Sequence, residues 1–328
     1  MARMNVRRIG GLGLLAVGIA VATFAFSHAA RGGASSAASY VGSEVCRGCH
    51  NGLHSVTSVA AWEKSLHPKA MWSASEPPDG CQVLGDFSAG APFAKDRIAY
   101  VLGAGTHAQA YLDKDYRVLP GEWQVKEKSW VARQVVDAKT QCLGCHVTGF
   151  AGADNSWRAM GVGCETCHGP GSEHMVSGDK KGTITNPMRL DPQKEAMVCA
   201  QCHSQGLSKD GVHAFAVGFT PGDDLDRFVS YATVSAPGGR NAQYNDLRAG
   251  GGKHLSSGTV CTTCHDPHTA KQGKLLRQVQ PDLCTECHQH LTGPQHTPDA
   301  LKSTCCTVCH MPKGSHAFVA PHRSARGG

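Results

Sequence analysis

Seven copies of Cys-x-x-Cys-His carry the chemistry open to this chain. They are Cys46-x-x-Cys49-His50, Cys142-x-x-Cys145-His146, Cys164-x-x-Cys167-His168, Cys199-x-x-Cys202-His203, Cys261-x-x-Cys264-His265, Cys284-x-x-Cys287-His288 and Cys306-x-x-Cys309-His310. Two thiols at this spacing add across the two vinyl groups of a porphyrin. The His that follows then sits under the iron as an axial ligand, which is the attachment signature of c-type haem. At this Cys and His content roughly 0.05 matches are expected by chance. Zinc sites would pair a C-x-x-C with a second ligand pair, and disulfide scaffolds do not repeat a fixed C-x-x-C-H unit. The motifs use 14 of the 16 Cys, so seven covalently attached haem c groups are expected.

A low-spin electron-transfer haem also needs its sixth position filled. Twelve His lie outside the motifs, and His28 belongs to the N-terminal leader. His254 lies seven residues before Cys261, and Pro267 turns the chain so that His268 points away from the iron of His265. His174 follows the Gly169-Pro170-Gly171 turn, and His67 ends the stretch from Trp62. His296 precedes the seventh motif, with His290 as its rival, and His107 follows a Gly-rich turn. With His213 these make the expected distal ligands His67, His107, His174, His213, His254, His268 and His296; His54, His316 and His322 stand in reserve. Methionine ligation would raise the potential, but Met175, Met197 and Met311 read as packing residues. Cys81 and Cys305 lie outside the motifs, and an exported protein permits a disulfide between them. Cys305 also permits a longer attachment loop to Cys309, whereas Cys306 keeps the spacing of the other six motifs.

The elements that must position these groups are small. About 300 residues after the leader leave roughly 43 per haem, too few for an ordinary apolar core. Aromatics are 6% and Gly numbers 39, so short helices and irregular loops are expected, with the porphyrins supplying much of the buried apolar surface. Residues 60–71 read as a short helix ending near His67-Pro68. Residues 97–137 alternate apolar and polar with turn signals at Asp113-Lys114-Asp115 and Pro120-Gly121, which predicts a small β-hairpin element. Ser204 to Gly252 reads as a Gly- and Asp-rich loop. Motif spacing divides the chain into 30–230 with four haems and 231–328 with three, and Ser324 to Gly328 reads as a frayed tail.

Residues 1–29 read as a signal peptide: Arg3, Arg7 and Arg8, then an apolar stretch from Ile9 to Phe26, then Ser27-His28-Ala29. An uncleaved anchor through 9–26 is the rival reading, since 18 residues are long for a signal and short for a span. Either way the haem-bearing part is exported, to the periplasm or the cell exterior. The formal charge of +6 misleads, because removing the leader leaves 29 basic against 26 acidic residues. Two propionates per haem then bring the mature protein to about −4 oxidised and about −11 reduced. The basic balance is thus no argument for nucleic acid, and Lys and Arg pair better with propionates.

Tyr40-Val41-Gly42-Ser43-Glu44-Val45-Cys46, the Trp62 to His67 helix, Gly163 to His174 and Cys199 to Gly206 resemble the tetrahaem cytochrome c that partners hydroxylamine oxidoreductase, and its multihaem superfamily. The resemblance covers about residues 40–230. Phe219 to Leu225 and Cys306 to Pro312 resemble larger members, some of which form extracellular conductive filaments. It implies stacked and perpendicular haem pairs, largely bis-His ligation and electron transfer, and the superfamily also includes enzymes with one five-coordinate haem. The fold class expected is a multihaem cytochrome c, mainly short α-helices and loops wrapped around stacked haems, with the β element near 97–137.

The function expected is electron transfer through closely packed, mostly bis-His haems, with other cytochromes or quinol-linked donors as partners. Two alternatives stay open. One is an oxidoreductase acting on a small nitrogen or sulfur compound at a five-coordinate haem, although no Cys-x-x-Cys-Lys motif occurs. The other is a self-associating filament subunit, in which a distal His is given across a subunit interface.

Overall fold

The computed structural model describes residues 38–51, 59–233, 238, 241–250, 252–268, 275–290, 296–297 and 306–319. The leader, His54, Cys305, His322 and the C-terminal tail lie outside the described residues. Residues Ala38–Gly328 make one compact unit.

Among the described residues helices are short, and the longest, Pro192–Ala200, has nine residues. It starts as local chemistry dictates. The Asp191 carboxylate caps the Lys194 N–H, and Pro192 sits where no N–H is needed. The expected helix over 60–71 is shorter, Val59–Lys64. Pro68 disfavours helical geometry at His67, and the chain turns to leave Met71–Ser73 as a strand.

That strand is the first of a five-stranded antiparallel meander, larger than the expected hairpin element. Its strands are β1 (Met71–Ser73), β2 (Tyr100–Leu102), β3 (Ala108–Leu112), β4 (Val118–Gln124) and β5 (Ser129–Ala132), in that order. A three-residue strand is too short to show a period, so β1 is invisible to pattern reading. Pro120 sits in a central strand, where it could not donate to the ladder. It is tolerated because the register of β3 and β4 shifts between the Ala110–Glu122 and Leu112–Val118 pairs.

Side chains alternate cleanly across this sheet. Met71, Leu102, Ala110, Leu112 and Val118 face one side and pack on Ala138, Leu143 and Val147, which flank and carry the second motif. Trp72, Val101, Tyr111 and Leu119 face the other side, where Phe93 joins them and Cys81, Phe87, Trp123 and Trp130 pack on top. The sheet is therefore a lid whose inner face lies on one haem motif. Two further two-stranded ribbons, Val147–Thr148 with Ala159–Met160 and Gly206–Ser208 with Val229–Tyr231, add structure where loops were expected.

A third cluster joins Ala196, Met197 and Ala200 of the fourth motif's helix to Tyr244 and Val260 beside the fifth. The Thr262 hydroxyl donates to the buried Glu195 carboxylate across the same contact. Packing is thus continuous across 230/231, the boundary read from motif spacing.

One buried carboxylate stitches the N-terminal part together. Glu165, inside the third motif, accepts from the N–H groups of Val41 and Gly171 at 2.8 Å and of Gly42 at 2.7 Å. Ser43 Oγ accepts from Cys164 N at 3.1 Å in the same seam. Replacing Glu165 with Gln leaves one acceptor oxygen for three N–H donors and points an amide donor at one of them. Glu165→Gln is expected to cost about 2–3 kcal/mol, read as a lowered guanidinium midpoint of the haem-loaded protein. An unchanged midpoint would show that the seam does not depend on the carboxylate.

Candidate haem-binding sites

Each motif has at least one Cys on a helical turn, which brings residues three and four apart onto one face. The first and third motifs show it plainly, on Ser43–Cys49 and Cys164–His168. Both thiols and the histidine of a motif can then address one planar group.

The histidine rings meet in pairs. His50 faces His174 with ring centres 6.3 Å apart, His67 faces His203 at 6.4 Å, and His168 faces His268 at 6.0 Å. His265 faces His316 at 6.3 Å, His254 faces His288 at 6.1 Å, and His296 faces His310 at 6.0 Å. Direct ring contact is closer, as His254 and Phe318 show at 4.1 Å. An imidazole nitrogen lies about 1.2 Å from its ring centre and about 2 Å from a bound metal, so two rings ligating one ion stand about 6.4 Å apart. The observed spacings fit an iron between each pair. Among the described residues no three His, Cys, Asp or Glu side chains converge as a metal site. Two protein ligands per ion leave four equatorial positions, which is what a porphyrin supplies.

Hydrogen bonds set the ring orientation. Nδ1 of His146 lies 2.8 Å from Ala70 O, of His168 2.8 Å from Thr185 O, of His174 2.8 Å from Lys180 O, and of His310 2.9 Å from Val319 O. A carbonyl can only accept, so each Nδ1 carries the hydrogen and Nε2 is left with a free lone pair for a metal. Burial also keeps rings neutral. It pushes His67 down to about 4, with His203 adding to the effect, and it lowers His168, His203 and His316.

Five of the seven expected distal residues, His67, His174, His254, His268 and His296, stand opposite a motif histidine. Two do not. His107 is exposed, in the turn leading into β3. His213 is buried behind the second motif, wedged against Phe150 and Phe215, with Nε2 3.1 Å from Asn155 Oδ1. His316, held in reserve on sequence, takes a facing position instead. A signal for it was present: it lies six residues after His310 of the seventh motif, as His174 lies six after His168 of the third, and each faces a different motif's histidine. His290 is exposed and faces no motif ring among the described residues. His146 has no facing histidine among the described residues.

Motif thiols also meet one another. Cys46 neighbours Cys164, Cys145 neighbours Cys202, and Cys199 neighbours Cys261. Cys167 sits near Cys199 and Cys202, and Cys264 near Cys287. Gln280 Oε1 accepts from Thr307 N at 3.2 Å, tying the seventh motif to the approach of the sixth. Cys81 is a free, half-buried thiol. Its suggested partner Cys305 lies outside the described residues.

Known proteins share parts of this chain's sequence and its fold. The family described as "Doubled CXXCH motif" matches residues 253–293, and "Cytochrome c554 and c-prime" matches residues 104–169. The multihaem cytochrome MtrA of Shewanella baltica is 26% identical over 190 residues, which is 53% of this chain and 46% of that protein. The chain therefore spans about half the length of that curated relative. In fold it resembles the outer cell wall cytochrome OcwA, with a TM-score of 0.65 and 21% identity over 85% of this chain and 78% of the other. An undecahaem cytochrome from the S-layer of Carboxydothermus ferrireducens gives a TM-score of 0.52 and 21% identity over 86% and 52%. Repeated attachment motifs, neutral imidazoles facing each other at iron-bridging distance, and these likenesses together identify the chain as a multihaem c-type cytochrome.

Proposed function

We propose that the chain carries seven covalent haem c groups and relays electrons along them outside the cytoplasm. The observation that carries this reading is the set of six facing histidine pairs. On it, His174 ligates the first haem, His268 the third, His67 the fourth, His316 the fifth, His254 the sixth and His296 the seventh. An iron saturated by two imidazoles cannot bind substrate until one leaves, whereas outer-sphere transfer needs only closely spaced porphyrin edges.

The thiol contacts support an order in space. Neighbouring thioether positions would bring porphyrin edges together, which supports the first haem adjoining the third and the fourth adjoining the fifth, with the third near the fourth and the fifth near the sixth. The second haem branches from the fourth through Cys145 and Cys202. Exposed motif thiols belong to the first, sixth and seventh motifs, at Cys49, Cys287 and Cys309, while the other motif thiols are half-buried. Entry and exit at the ends of the row, with other redox proteins as partners, follow from that pattern. An exported location rests on the leader reading and on haem attachment after export. No helix among the described residues is long and apolar enough to cross a membrane.

A second reading has its own observation. Among the described residues no histidine faces His146, and this reading takes the haem held there as the site for a small nitrogen or sulfur compound. A chain with six saturated irons would feed such a site through the fourth haem.

Mass spectrometry of the mature protein should give the polypeptide plus seven haem masses; six would remove one motif from use. Ferric EPR separates the readings: one high-spin haem in seven is expected for the second and none for the first. His268→Ala and His316→Ala should each add one more high-spin haem, while His107→Ala should add none. If His316→Ala leaves the spectrum unchanged, His316 is not an axial ligand. Carbon monoxide should bind at most one ferrous haem in seven. Turnover of nitrite or hydroxylamine with an artificial donor separates the two readings: steady reduction favours the enzyme, and its absence favours the carrier.

A further inference from the structure

Four of the six facing pairs hold their ring planes near parallel, at 19° for His296 and His310, 20° for His50 and His174, 25° for His168 and His268, and 30° for His265 and His316. Two pairs stand crosswise, His254 and His288 at 68° and His67 and His203 at 82°. Two rings that ligate one iron both contain the metal–nitrogen axis, so this angle is a rotation about that axis. The hydrogen bond at Nδ1 is what fixes such a rotation.

In three of the near-parallel pairs a ring is held by a backbone carbonyl, at His310, His174 and His168. His203 is held by a side chain: Gln243 Oε1 lies 3.3 Å from its Nδ1. Gln243 opens the helix Gln243–Ala249, and the first turn of that helix is built onto the fourth motif. Tyr244 N donates to His203 O at 3.0 Å, and the Tyr244 side chain is buried with Met197 and Ala200 of the motif's helix. The buried Asn245 accepts from Gln205 N at 2.8 Å and donates to Gln205 O and to Ala232 O, each at 3.0 Å. Consecutive residues thus grip His203 to Gln205, and the Gln243 amide reaches the ring from a fixed origin.

The angle has an electronic consequence. Each imidazole donates from a filled π orbital, perpendicular to its plane, into one iron dπ orbital. Parallel rings raise the same dπ orbital, whereas crosswise rings raise one each and leave the two nearly level. A ferric haem with level dπ orbitals gives a single strong low-field EPR feature in place of a rhombic pattern. The electron lost on oxidation then leaves an orbital raised by one ring instead of two, so crosswise rings favour the ferrous haem. Hydrogen bonding behind the axial ligand is one of the protein's levers on a haem.

We propose that Gln243 is a positioning residue that holds His203 crosswise to His67 and so makes the fourth haem electronically unlike the third and fifth beside it. This rests on the axial assignment above, in which His67 and His203 share the fourth iron. On the same reading the second haem branches from the fourth, so the distinct site stands at the junction of the relay.

Ferric EPR of the haem-loaded protein tests this. The parent should show low-field features from two haems, the fourth and the sixth. His67→Ala should remove one of them and add one high-spin haem, which identifies the signal of the fourth haem. Gln243→Leu should remove that same feature and put a rhombic low-spin signal in its place, with no high-spin haem added. Gln243→Glu keeps an acceptor oxygen and should keep the feature. If the feature survives Gln243→Leu, the proposal is overturned. Loss in both Gln243 variants overturns it too, because the cause is then a disturbed helix and not a missing acceptor. A parent with rhombic signals alone overturns the proposal and leaves the axial assignment standing. If His67→Ala adds no high-spin haem, the axial assignment itself fails and the proposal falls with it.

Discussion

The separation of about 6 Å between facing imidazoles is the constraint that organises this molecule. Two rings held that far apart do not touch and suit an ion between them. The two members of most pairs come from distant parts of the chain. His67 crosses to His203, and His268 returns to His168. His316, near the C-terminal end of the described chain, reaches back to His265. Loops that would otherwise wander are closed in this way by ligand geometry rather than by a large core. The described apolar clusters are correspondingly small, and each is pinned to a motif or to the sheet that covers one.

Polar stitching does the rest. Buried carboxylates are costly unless fully hydrogen-bonded, and here they join segments that carry different motifs. Glu165 gathers the N–H groups before the first motif and after the third. Glu195 accepts from Thr262 of the fifth motif. Asp246 accepts from Gly238 N at 2.9 Å and from His316 N at 3.3 Å, which anchors the segment that faces the fifth motif. Each tie fixes a histidine-bearing segment to the motif it must face or adjoin. Local order and site geometry are therefore the same problem here.

The second motif is built differently. It lies under the only large sheet among the described residues, and its histidine bonds to the backbone just before β1. A sheet face supplies a rigid, shaped surface where the other described sites have a ring facing the motif histidine.

Much of this could be read from residues alone. Seven motifs establish covalent haem c attachment because two thiols and a histidine at that spacing are a local device, complete within one helical turn. Proximal residues, short helices and the existence of a strand-rich segment follow from equally local patterns. Five expected distal residues stand opposite motif rings, and for His174 and His268 the cue was a glycine or proline turn beside the residue. His107 follows a similar Gly-rich turn and His213 carries no local cue, and among the described residues neither faces a motif ring. His316 looked ordinary and does face one. Which ring meets which depends on contacts between remote segments, as do the Glu165 seam, the three-residue strand β1 and the contact of Gln243 with His203. Chemistry written into a single turn is fixed by sequence. Pairing across the chain is decided only when folding brings its ends to one place.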